Sequence, residues 1–252
     1  MLTFSGTTSR KTILAMWLLI QGSILSADAL GQSSTSPLVL SNATLPPVST
    51  SEGDGYLDKL YAEWFKRAGL RVQLQTTPAA RGLESANAGI FAGDAARVDM
   101  DSSLYPDLLQ VPEPVIEVIF GGLFLDSGVR VKTFSDFEDY RVGYVRGWKI
   151  AEGLFKGKVN TVTVRNAGNL LDMLAADRID VAFMTVAPAR ELARERQLGW
   201  LNRTDFEIRK TLYLYLHSSH RDKVSRMADI LRDMKFDGSY DQIMSGYSLG
   251  NR

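Results

Sequence analysis

Asn169-Leu-Leu-Asp-Met-Leu-Ala-Ala-Asp-Arg-Ile-Asp-Val-Ala-Phe-Met-Thr185 changes its periodicity half-way along. Leu170, Leu171, Leu174 and Ala175 recur at helical spacing and make one apolar face. The helix should stop near Asp177-Arg178, and Ile179, Val181, Ala182, Phe183 and Met184 then form an almost wholly apolar run. Such a run is the signature of a strand covered on both faces, so it predicts a buried parallel sheet. A helix that feeds a buried strand through a short turn is half of a βαβ crossover.

The same unit occurs earlier, between Arg81 and Val98. There a short helix opened by Arg81 ends at Gly89, and an apolar step leads to Gly93-Asp94 and a strand-like stretch. Two copies of helix, turn and strand predict two α/β lobes. In open parallel sheets ligands sit beyond the carboxyl ends of the strands, so two facing lobes imply a cleft.

Around these units the order of elements is legible. Leu38–Ser41 reads as a strand, followed by a loop containing Pro46-Pro47. Tyr56–Ala68 is an amphipathic helix closed by Gly69, with Leu57, Leu60, Tyr61, Trp64 and Phe65 on one face. Arg71–Thr76 and Leu108–Val111 read as strands, and Val115–Leu125 as the strand that leaves the first lobe. Phe134–Asp139 is a helical turn, Arg141–Val145 and Val159–Val164 are strands, and Gly147 opens a strand-to-helix turn that carries Trp148. Ala187–Gln197 is a charged helix, and Thr211–His217 alternates as a strand that returns the chain to the first lobe. Val224–Met234 and Tyr240–Met244 read as closing helices. The predicted organisation is a leader at 1–29, a linker at 30–37, a first lobe at 38–118 and 213–252, and a second lobe at 119–212.

Composition narrows the function. The chain has 252 residues with 29 basic and 29 acidic side chains, a balance that gives nucleic acid no basic surface. Arg10-Lys11, the apolar stretch Thr12–Leu25 and Ala27-Asp28-Ala29 form a secretory signal, too short to span a membrane. There is no cysteine, which excludes disulfides, a thiolate metal site and a lipidated Cys anchor. An exported chain without disulfides fits a bacterial periplasm. No Gly-x-Ser-x-Gly, phosphate loop or paired-carboxylate motif occurs, and His217 and His220 lack the partners of a metal site. No catalytic residue, metal or cofactor is therefore assigned.

Leu38-Val39-Leu40-Ser41-Asn42 with Pro46-Pro47, Phe134–Gly143, Arg178-Ile179-Asp180-Val181 and the ending Asp237-Gly238-Ser239-Tyr240-Asp241 share an order and spacing. In these features residues 37–246 resemble the type II periplasmic solute-binding proteins of the polar amino-acid group. The resemblance implies a two-lobed α/β fold, each lobe a mostly parallel sheet flanked by helices, joined by two hinge strands. It implies capture of a small polar or anionic solute by hinge closure for an ABC permease, as a monomer. Its alternatives are a partner of a membrane sensor and a dehydratase-like enzyme on the same scaffold.

Members of that group hold an ammonium with an acidic residue where this chain has Thr185, and a carboxylate with a Thr-x-x-Arg arginine that Asp101–Asp107 does not supply. The aromatic position of the first loop is Leu45. Residues that could contact a ligand here are Asn42, Arg81, Arg97, Arg146, Gly147, Trp148 and Thr185. The arginines offer bidentate donors to an anion, Trp148 a stacking face, and Gly147 free backbone N–H groups at a helix start. Asp180 is a further candidate, with ordering of the turn before its strand as the other reading.

Overall fold

A computed structural model describes residues 1–3, 36–125, 128–158 and 160–250. The signal reading lies outside the described residues apart from its first three, as does the start of the strand expected from Val159. Strand β1 (Leu38–Asn42) leads through the Pro-Pro loop to helix α1 (Tyr56–Arg67), then β2 (Val72–Thr76), α2 (Ala79–Asn87) and β3 (Gly93–Arg97). After β4 (Leu108–Gln110) the long β5 (Ile116–Phe124) crosses to the second half. That half contains a 3-10 turn (Phe134–Asp139), β6 (Val142–Val145), α3 (Lys149–Phe155), β7 (Thr161–Val164), α4 (Ala167–Ala175), β8 (Val181–Thr185) and α5 (Val186–Glu195). Strand β9 (Asn202–His217) returns, and α6 (Val224–Phe236) and α7 (Ser239–Gly250) close the chain.

The strands lie in the order β2-β1-β3-β9-β5-β8-β6-β7, with β4 also on β9. The outer strands are parallel within each half: β1 with β2 and β3, and β6 with β7 and β8. The inner pairs β3–β9, β5–β8 and β5–β9 are antiparallel. Each half is thus a three-stranded parallel sheet mounted on one hinge strand. The two hinge strands pair with each other from Ile116↔Leu212 to Phe124↔Asn202.

The elements form where local chemistry favours them. Asp58 accepts hydrogen bonds from the N–H groups of Gly55 and Thr50, at 3.0 and 2.9 Å, and so satisfies donors at the start of α1. The five large side chains of its apolar face are at most 1% exposed. Each contributes about 1.5–3 kcal/mol by burial. Trp64 also donates its indole N–H to the Met227 carbonyl of α6 at 2.8 Å. Asn166 caps α4 by accepting from the Asn169 N–H at 2.8 Å, and Asp177, at φ 52°, ends it.

Strand β8 is buried on both faces, as its apolar run implies. Val181 and Phe183 pack with Phe137, Phe155 and Tyr144 on one side, while Ala182 and Met184 pack with Leu170, Leu171 and Leu174 on the other. Asp180 orders the entry to this strand: its carboxylate takes the Arg141 backbone N–H at 2.7 Å and the guanidinium at 2.6 Å.

Three expectations need correction. Helix α2 begins at Ala79 behind Pro78, so Arg81 lies inside its first turn rather than opening it. The last helix runs on from Ser239 to Gly250 instead of stopping at Met244. The return strand starts at Asn202, nine residues before Thr211. Its first half carries Arg203, Asp205, Glu207 and Arg209, whose charges hide the β pattern in the sequence. In the fold Arg209 pairs with Glu207 at 2.8 Å and with Glu117 of β5 at 3.3 Å.

Candidate functional site

A cavity of about 100 Å³ lies beyond the carboxyl ends of β1, β3 and β8. The first lobe contributes Ala43, Thr44, Leu45 and Val48 of the loop after β1, together with Ala96, Arg97, Val98 and Met100. The hinge strands contribute Val118, Phe120 and Leu212. From the second lobe come Trp148, Lys149 and Ile150 at the start of α3, and Thr185 and Pro188 where β8 enters α5.

Arg97 is 8% exposed and is held from behind. Its Nη2 donates to Asp94 Oδ2 at 2.9 Å and to the Ala79 carbonyl at 2.6 Å. Asp94 Oδ2 also accepts the Ser41 hydroxyl at 2.6 Å. Arg97 Nε is buried without a partner. Beneath this group the Tyr61 hydroxyl donates to the Ala95 carbonyl, and burial, then the Asp94 charge, push that phenol well above its ordinary pKa. Tyr215 accepts from the Met100 N–H at 3.1 Å and donates to the Val98 carbonyl at 3.3 Å. Burial raises its pKa to about 12, so it remains a neutral brace for the segment after β3.

On the opposite wall the Trp148 ring meets Phe120 edge-on, with centroids 6.1 Å apart, and Phe120 stacks on Phe183. The apolar wall of the cavity is therefore continuous with the second lobe's core. Thr185 is the N-cap residue of α5, yet its hydroxyl makes no capping bond.

Gly147 adopts φ 85° and lies against the first turn of α2: a Cβ there would come within 2.8 Å of the Ala80 nitrogen. Only glycine allows the two lobes to approach this closely at that point. Its N–H donates to Glu152 Oε1 at 2.8 Å. Burial alone would raise the Glu152 pKa, but the Gly147 N–H and Lys149 outweigh it and hold the carboxyl below its usual range.

Of the seven residues singled out from sequence, the fold brings Arg97, Trp148 and Thr185 together on the cavity wall. Gly147 sits beside it at the lobe contact. Asn42 is buried behind the loop, where its side-chain carbonyl accepts from the Thr44 N–H and hydroxyl at 3.0 and 2.8 Å, leaving Nδ2 without a partner. Arg81 and Arg146 are exposed and do not line this cavity. Both are driven outward by neighbours in chain order, since Gly82 and Leu83 face inward on α2 and Val145 and Gly147 flank Arg146 inside.

Sequence reasoning missed Thr44, Val48, Met100, Val118, Phe120, Lys149, Ile150, Pro188 and Leu212 as lining residues. Most are apolar and look like ordinary core in a linear pattern. The usable signal was position: Phe120 lies in the crossing strand, and Ile150 is two residues beyond Trp148. His217 bonds Ser219 away from the cavity, at 2.8 Å. Among the described residues no cluster of metal-ligating side chains occurs.

Many solved structures share this architecture. A histidine kinase sensor domain with similarity to periplasmic binding proteins superposes with a TM-score of 0.74 at 16% identity, covering 84% of this chain and 95% of that one. The fold is that of the periplasmic binding proteins. An arginine third transport system periplasmic binding protein from Legionella pneumophila matches with a TM-score of 0.69 at 14% identity, over 84% of this chain and all of the other (100%). An ancestral amino acid-binding protein, a precursor of cyclohexadienyl dehydratase, matches at 0.68 and 17% identity over 83% and 94%. In sequence, an uncharacterised protein of Shewanella oneidensis is 21% identical over 198 residues, 74% of each chain. No protein-family model matches.

Proposed function

We propose that this chain is a periplasmic solute-binding protein that captures a small polar or anionic solute between its lobes and does no covalent chemistry. The observation that carries this reading is the cavity walled from both lobes, with Arg97 on one side and Trp148 and Thr185 on the other. A solute that touches both walls favours the closed arrangement over the open one, and β5 and β9 are the strands about which closure would turn. The lobes are assigned to residues 38–118 with 213–252, and 119–212. Among the described residues no Asp, Glu or His lines the cavity, which leaves Lys149 as its one candidate proton-transfer side chain. This supports binding rather than turnover and weighs against the dehydratase alternative.

Delivery to an ABC permease is the first reading of the downstream step. A sensory role is the second, favoured by the likeness to a histidine kinase sensor domain. Among the described residues no helix is long and apolar enough to cross a membrane, so either role requires a separate membrane partner or a segment outside them. A thermal-shift screen of metabolites tests the common core. A true ligand at a hundredfold excess over Kd adds about 2.7 kcal/mol of stability. The reading fails if no solute moves the midpoint and scattering detects no ligand-dependent closure.

A further inference from the structure

We infer that the cavity selects a small carboxylate on a compact apolar body and rejects the α-amino acid of the same shape. This deepens the solute-binding reading and rests on it. Three observations converge. The first is Arg97, nine-tenths buried in the cavity wall, with Nη2 committed to Asp94 and Ala79 and, among the described residues, no acceptor on Nη1. A buried guanidinium donor without an acceptor is an unmet demand, and a carboxylate oxygen meets it best. The second is the facing wall, where Thr185 and Pro188 place the first turn of α5 at the cavity and the Thr185 hydroxyl is uncommitted to capping. A free hydroxyl can donate to a carboxylate oxygen.

The third is what the lining leaves out. Among the described residues no Asp or Glu lines it, and Lys149 is the only other charged residue that does. An ammonium would be desolvated beside a guanidinium with no carboxylate to receive it. Asp94 cannot serve, because it is 0% exposed and its Oδ2 already holds Ser41 and Arg97. The remaining walls, from Leu45, Val48, Val118, Phe120, Trp148 and Ile150, suit a hydrocarbon body.

The experiment titrates the full chain with acetate, butyrate, 2-oxobutyrate and benzoate. The matched probes are butyramide and 2-aminobutyrate for butyrate, and benzamide for benzoate. Binding is read by calorimetry and by Trp148 fluorescence against a Trp148→Phe control. The expected result is that at least one carboxylate binds, with its amide and amino-acid counterparts about tenfold to a hundredfold weaker, the value of one charge-assisted hydrogen bond. Thr185→Asp keeps a good N-cap and should fold, yet it adds a like charge and should weaken the carboxylate by a similar factor. Arg97→Lys, which retains the charge but not the planar fork, should reduce the preference for carboxylate over amide without abolishing it.

Equal or tighter binding of an amide or amino acid overturns the inference and leaves the solute-binding reading standing. Unchanged carboxylate binding in Thr185→Asp also overturns it. If no probe binds, the inference falls. Native mass spectrometry of the purified protein then separates the two readings. A stoichiometric small molecule of another class preserves the solute-binding reading, and its absence removes that reading as well.

Discussion

Strands β3 and β8 hold equivalent places in the two halves. Each follows a short helix, pairs parallel with the first strand of its half, and pairs antiparallel with a hinge strand. Yet β8 is Val-Ala-Phe-Met-Thr, whereas β3 is Gly-Asp-Ala-Ala-Arg, and both are buried. The second lobe closes its centre with hydrocarbon, through Phe183 against Phe137 and Phe155 at 5.9 and 5.0 Å. The first lobe closes the same place with a polar triad of Ser41, Asp94 and Arg97. An apolar strand needs only volume to be satisfied, whereas a polar one needs every partner present. One architecture therefore supports two chemistries: an inert wall and a wall that presents a charge to the cleft.

The two largest predicted effects are equal in size and different in cause. Asp94→Ala strands a buried guanidinium and should cost about 3–5 kcal/mol in urea unfolding. Phe183→Ala opens a cavity and should cost about 3–5 kcal/mol. The contrast is sharpened by the double variant Asp94→Leu/Arg97→Met, which should recover most of the loss because neither charge remains. No recovery would show that the triad is not a self-contained pair and would break the comparison.

A smaller effect is expected where the halves meet. Gly147→Ala imposes left-handed backbone strain of about 1–2 kcal/mol and places a methyl group against Ala80. Small-angle scattering should find a larger radius of gyration than for the parent chain. An unchanged radius would mean that the Gly147–Ala80 approach does not limit closure.

The smallest effect concerns the outer clamps, one per half. In the second lobe Arg141 holds the Asp180 carboxyl below its ordinary range, chiefly by side-chain hydrogen bonds. In the first, the Ser239 hydroxyl and Arg67 hold Asp237 at about 2. Both folded values are depressed, so each contribution is fully present above the unfolded value of about 3.9 and is lost as pH falls through the folded one. Stability should therefore decline below pH about 4, and Asp180→Asn should flatten that decline. An acid limb unchanged in the variant would assign the pH dependence elsewhere.

Much of this was legible in the linear chain. The α4–β8 unit could be placed because an apolar helix face followed by an unbroken apolar run fits few other structures. The α2–β3 unit was visible through its repeat of that order, although Asp94 reads in sequence as a turn residue rather than as the buried partner of an arginine. The start of β9 was hidden by alternating charges that pair only across the sheet. Arg97 and Thr185 were within reach because each ends a strand, and Trp148 because it stands in a strand-to-helix turn. Arg146 also follows a strand and Arg81 lies in the first turn of a helix, and neither lines the cavity.

Periodicity, the glycine and proline breaks and the order of the units were sufficient to specify two α/β halves with crossing strands between them, because burial on a strand or a helix is a local, repeating property. Which arginine faces the cleft, which apolar residues line it rather than fill a core, and that Gly147 touches Ala80 all depend on elements far apart in the chain coming together. Those facts arise from orientation and distance across the sheet, which a one-dimensional pattern does not encode.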